Sequence, residues 1–214
     1  SGRPAPAFVI SPLYIYVLAL LLKIGGGSLE AARFGQIVLG TAAVGLLALT
    51  ARRWYVTRAA WIAGALATFC GLFTFYEVLI LQASVDAFFT AAALFCLGAA
   101  DGVRSPFRRD SAIALAGLLW GVQTLNRPNV VIAVIGVALV MVIATRRVKP
   151  AALLVAGLLA GMAPVAIRNV VVTGEWTLVS SHGGLNLYIG NHAGATGFYQ
   201  NVPGVTPAIV GQEK

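Results

Sequence analysis

Apolar residues run through this chain in long blocks, and its polar residues collect in the short gaps between them. Blocks over 32–51, 59–76, 78–100, 111–125, 130–145 and 151–167 predict membrane-crossing helices, because about 20 apolar residues match roughly 30 Å of hydrocarbon. The first apolar block, LYIYVLALLLKI at 13–24, is too short to cross. Pro12 suits a helix start, and Tyr14 and Tyr16 suit headgroup depth, so an interfacial helix is expected over 12–24. Gly25 to Ser28 ends it, and Ser28 is placed to cap the helix that Leu29, Glu30 and Ala31 begin. Beyond Ile167 the pattern changes: Ile167–Gly204 abruptly gains Asn, His, Ser, Gly and aromatic residues. The expected fold class is all-α. It is a polytopic transmembrane helix bundle over 1–168, about six spans plus the interfacial helix, with an irregular periplasmic C-terminal segment over 169–214.

Composition excludes the soluble alternative. Of the 214 residues 59% are hydrophobic and 10% charged, with mean hydropathy +0.87, whereas soluble domains carry roughly 25% charged residues. The net charge of +8 does not point to nucleic acid, because it is organised by topology. Connectors 52–58, 101–110 and 146–149 hold nine of the fifteen Lys and Arg residues, while those around 77 and 126–129 are nearly uncharged. The positive-inside rule puts the basic connectors in the cytoplasm. The other face then receives 13–31, Glu77, the Asn126–Asn129 turn and everything after Ile167. Cys70 and Cys96 lie inside apolar blocks without a CxxC or a nearby His, and read as small buried hydrophobes. The start, SGRPAPAFVISP, lacks Met and the pattern of a signal peptide, and reads as the beginning of a fragment.

Against this apolar background the polar side chains near the outer face stand out. Asp86 lies nine residues after Glu77, about 13 Å along a helix, with Gln82 one turn before it. A carboxylate at membrane depth is costly unless it faces a cavity or a partner, so both are candidate catalytic groups. The bland alternative is a carboxylate paired with an Arg. On one continuous helix the two would point to opposite faces, unless the helix begins after Glu77. Arg127 and Arg168 sit at outer ends of spans, where the positive-inside rule disfavours them. A planar fork of donors suits phosphate or carboxylate; snorkelling is the alternative. With Arg168 goes Asn169, and the tail adds His182, Asn186, Asn191 and His192 as candidate substrate-binding residues. Two His without an acidic or Cys companion give a divalent metal no support, so no metal site and no certain cofactor is assigned.

The order of YE at 76–77, LQASVDAFFTAAAL at 81–94, LNRPN at 125–129, APVAIRNVVVTGEW at 163–176 and SSHGGLNLYIGNHAGATGFYQNVPGVTP at 180–207 resembles bacterial C-type membrane glycosyltransferases. That family includes the protein O-mannosyltransferases and the lipid A aminoarabinose transferase. The likeness extends to SPLYIYVLALLLK at 11–23 and AARFGQIVLG at 31–40; Ala87 departs from the Pro often found there. The resemblance implies transfer of a hexosyl or pentosyl group from a polyprenyl-phosphate donor to a protein, lipid or glycan acceptor. The site would face the periplasm in the bacterial inner membrane. It implies too that the principal catalytic acid belongs to a first external loop upstream of Ser1, with Glu77 and Asp86 as secondary carboxylates. The alternative reading is a transporter or flippase segment using Glu77 and Asp86 as proton or substrate sites. No inverted repeat supports that reading.

Overall fold

The computed structural model describes residues 8, 11–174, 176–179 and 182–195, and the side chains of all these except 73, 74 and 182–186. They form nine helices and, among the described residues, no strand: α1 Leu13–Ile24, α2 Leu29–Trp54, α3 Thr57–Thr68, α4 Gly71–Val78, α5 Ala83–Ala100, α6 Pro106–Thr124, α7 Val130–Thr145, α8 Val148–Thr173 and α9 His182–Asn191. The chain is an all-α membrane bundle. Ser28 caps α2, its Oγ accepting from the Ala31 N–H at 3.3 Å. Left-handed backbone at Gly174 closes α8, with its N–H returned to Val170 O. Helices α2, α5 and α8 are long and apolar enough to cross a membrane.

Two expected blocks divide differently. The block over 59–76 is broken at Phe69–Cys70 into α3 and α4. Thr68 Oγ1 bonds back to Gly64 O, and the Cys70 N–H tightens onto Ala67 O before Gly71, a weak helix former, starts the next turn. The block over 78–100 becomes helical only at Ala83, leaving residues 79–82 non-helical between α4 and α5. A third difference lies in the segment expected to be irregular, where α9 forms despite Gly183, Gly184 and Gly190. Its last carbonyls are satisfied by side chains, Asn191 Nδ2 donating to Leu187 O at 2.8 Å and His192 lying on Tyr188 O and Ile189 O.

The helices pack in sequence: α2 on α5, α5 on α6, and α6 on α8 with α7 alongside. The densest contact is α6 on α8, which run side by side in the same direction. Gly117 and Gly121 of α6 lie directly against the carbonyls of Leu154 and Leu158, and Gly157 and Gly161 of α8 lie against those of Ala114 and Leu118. A side chain at any of these positions would meet backbone, so glycine is what allows the helices to touch. Trp120, Leu154, Leu158, Val134 and Ile113 fill the core around this seam.

The bundle has two chemically distinct ends. At one, Arg53 lies over the Phe95 ring and Asp110 pairs with Lys149 at 2.5 Å and with Arg109 at 3.5 Å, so the three basic connectors converge. At the other, Tyr14 of α1, Gln36 of α2, the 79–82 linker, Asp86, Asn126 and Arg127 come together, and α8, parallel to α6, ends on the same side.

Candidate functional site

The site is built around the interruption between α4 and α5. Non-helical backbone inside a membrane protein leaves carbonyls that lipid cannot satisfy, so it persists only where protein groups do so. Here three side chains from different elements take the work. Gln36 Nε2 donates to Leu79 O at 2.9 Å, Ser84 Oγ to Leu81 O at 2.8 Å, and Asn126 Nδ2 to Gln82 O at 2.7 Å. Tyr14 donates its hydroxyl to Gln36 Oε1 at 3.4 Å, linking α1 to the same cluster. Gln36, Ser84 and Asn126 are all buried.

The break separates the two carboxylates, so the continuous-helix argument for opposite faces does not apply. Asp86 stands in the first turn of α5. One of its oxygens accepts from Asn126 Nδ2 at 2.7 Å and the other from Arg127 Nε at 2.9 Å. Gln123 Nε2 reaches the Asp86 backbone carbonyl at 3.2 Å and Thr90 Oγ1 at 2.9 Å, fixing the turn from below. Asp86 thus takes up the Arg partnership that was its bland alternative. Asn126 is 1% exposed and its Oδ1 has no hydrogen-bond partner among the described residues. Arg127 uses only Nε on Asp86, and its two terminal nitrogens have no partner among the described residues; the side chain is 43% exposed. Such an arginine is oriented by one acid while still presenting donors outward.

Glu77, on α4, differs. Its carboxyl lies directly against Gly40 of α2, where any Cβ would collide with it, and no hydrogen bond or ion pair holds it among the described residues. Gly40 is thereby the position that lets a carboxylate approach α2.

Arg168 lies 4.1 Å over the Phe8 ring and donates to Asn169 Oδ1 at 3.3 Å. The Asn169 amide is fully buried and fully engaged: Nδ2 donates to Thr177 O at 2.9 Å and Val179 O at 3.3 Å, and Oδ1 also accepts from the Phe8 N–H at 3.5 Å. It ties the N-terminal strip, α8 and the segment after it together, rather than presenting a polar group outward. Asn191 and His192 are likewise engaged at the end of α9, with His192 stacked on Tyr188. The side chains of His182 and Asn186 lie outside the described residues. Among the described residues no three His, Cys, Asp or Glu gather as a metal site would require.

Sequence reasoning passed over Gln36, Gly40, Ser84, Gln123 and the side chain of Asn126. Two of these carried a usable signal: an amide in the middle of an apolar helix, as at Gln36 and Gln123, needs a partner on a neighbouring helix.

A family model described as dolichyl-phosphate-mannose-protein mannosyltransferase matches residues 6–168. The chain belongs to that family. The match covers α1 through most of α8 and therefore every residue of the Asp86 cluster. No curated protein and no solved structure matches the chain. Membership makes it a membrane glycosyltransferase in type, and the apolar helices agree with a multi-pass membrane protein.

Proposed function

We infer that this chain carries the acceptor-side and phosphate-side groups of an enzyme that moves a sugar from a polyprenyl phosphate to an acceptor at the periplasmic face of a bacterial inner membrane. The observation that carries this reading is Arg127, oriented by Asp86 yet with its terminal nitrogens unengaged among the described residues, at the end of the bundle opposite the basic connectors. Family membership favours transfer over the transporter reading.

In the reaction the bond between the sugar C1 and the lipid phosphate oxygen breaks, and a bond forms from C1 to the acceptor oxygen or nitrogen. The lipid phosphate leaves with an added negative charge, which Arg127, together with Arg168 at the end of α8, is suited to stabilise. The acceptor gives up its proton to a carboxylate acting as general base. Both oxygens of Asp86 already hold donors, which suits it to orient Arg127. Glu77 has no such partner among the described residues, which suits it to take up a proton. A principal acid supplied by a further loop is compatible with these roles. Asn126 and Gln123 hold Asp86, and Asn169 holds Arg168; these are positioning residues.

The test is transfer of a labelled sugar from a polyprenyl phosphate by the full-length enzyme. Arg127→Ala is expected to lower kcat by about 100-fold, the scale of removing one charge-stabilising donor. Turnover within two-fold of the unaltered enzyme would sink the phosphate role.

A further inference from the structure

At the basic end a cavity of about 660 Å3 opens where α5, α6, α7 and α8 meet. Leu97, Ile113 and Met141 make an apolar wall, and Arg109, Arg147 and Lys149 stand around it. Two observations mark it as more than a gap between connectors. Arg109 Nε is buried and has no acceptor among the described residues, while Nη2 of the same guanidinium donates to Asp110 Oδ1 at 3.5 Å. The Arg147 guanidinium has no acidic partner among the described residues; the bonds of this residue run between its backbone N–H and carbonyl and Thr145 Oγ1. Acids are present, Asp101 on the wall and Asp110 on Lys149 and Arg109, but two carboxylates against three cations leave one positive charge uncompensated. Arg104, Arg108 and Arg146 add to the field from the same connectors.

We propose that this cavity is a binding site for an anionic phospholipid, its phosphate held by Arg109 and Arg147 and the start of its acyl chains lying against Leu97, Ile113 and Met141. Cations ringing an apolar recess at the end of a helix bundle fit a molecule with one charged and one apolar end. A free phosphate matches the rim and leaves the apolar wall without a partner. The location, at the ends of helices that cross the membrane, is where a lipid headgroup lies. The site is separate from the Asp86 cluster and does not depend on the reaction proposed for it.

The full chain would be purified in a neutral detergent and titrated with phosphatidylglycerol, phosphatidylcholine or inorganic phosphate, with retained lipid read by native mass spectrometry and unfolding temperature measured alongside. One phosphatidylglycerol should be retained in preference to phosphatidylcholine and should raise the unfolding temperature. Arg147→Gln should weaken that retention about five-fold, the effect of one cation near an anionic lipid. Lys149→Gln, on a side chain 66% exposed, provides a second variant if the first folds poorly. Equal retention of the two lipids, equal retention by variants and unaltered protein, or an equal shift from inorganic phosphate would each overturn the assignment.

Discussion

The seam between α6 and α8 and the contact of α2 with α4 and α5 both rely on glycine, yet they solve opposite problems. At the seam, glycines on both helices let backbone meet backbone over stretches that stay helical. At α2, Gly40 makes room for the carboxyl of Glu77, and the adjacent linker has given up helical hydrogen bonds that Gln36, Ser84 and Asn126 must replace. A membrane protein can hold helices together by removing atoms. It can hold a functional irregularity only by adding polar ones.

The same substitution separates the two. Gly121→Ala puts a Cβ onto the Leu158 carbonyl, which belongs to a helix backbone and cannot turn aside. It is expected to destabilise the bundle by about 3 kcal/mol. Gly40→Ala meets only the end of a flexible side chain, and alanine gains helix propensity, so stability should stay within about 1 kcal/mol of the original. Its effect should fall on transfer, because Glu77 must move. Unfolding in graded denaturant, with turnover measured on the same samples, checks both. If Gly121→Ala is as mild as Gly40→Ala, the seam is looser than its geometry says.

Within the polar region, the second contrast is between Asn126 and Arg127. Asn126→Ala removes a buried donor from both Gln82 O and Asp86. Leaving those acceptors unpaired should cost about 1–3 kcal/mol. Arg127 is half-exposed, and losing its ion pair should cost under about 1 kcal/mol. The order should reverse in the transfer assay, where Arg127→Ala is the more damaging of the two. The same order in both measurements would mean that Arg127 is a structural partner of Asp86 and no more.

The two regions were unequally legible in the sequence. Apolar blocks and basic connectors are long-range compositional signals, so the all-α membrane bundle was available from them. The break at 79–82 was not. LILQ is apolar enough to continue a helix, and what interrupts it is held by Gln36 and Asn126, each more than 40 residues away. Asp86 and Arg127 were singled out for being charged at an outer end, but their pairing rests on how α5 and α6 cross, which periodicity does not encode. Asn169 shows the converse. Its place beside Arg168 in a polar motif suggested a ligand contact, whereas packing has turned its amide wholly inward.

The smallest expected effect lies at the basic end, where charge rather than glycine joins α6 to α8. The Lys149 ammonium bonded to Asp110, with Arg109 beside it, holds the Asp110 carboxyl below the ordinary carboxylate range. A carboxyl whose folded value lies below its unfolded value contributes stability above the unfolded value, and loses it as pH falls through the folded one. The contact between α6 and α8 at this end should therefore be complete at neutral pH and weaken progressively as pH drops below the ordinary Asp value of 3.8. Asp110→Asn should remove that acid dependence while leaving the glycine seam intact. Hydrogen exchange of the first turns of α6 and α8, measured at neutral and acidic pH, reads the difference. Equal acid sensitivity in the variant would assign the effect to another group. Exchange spreading from these turns to Gly117 and Gly157 would show that charge and glycine hold α6 and α8 as a single unit.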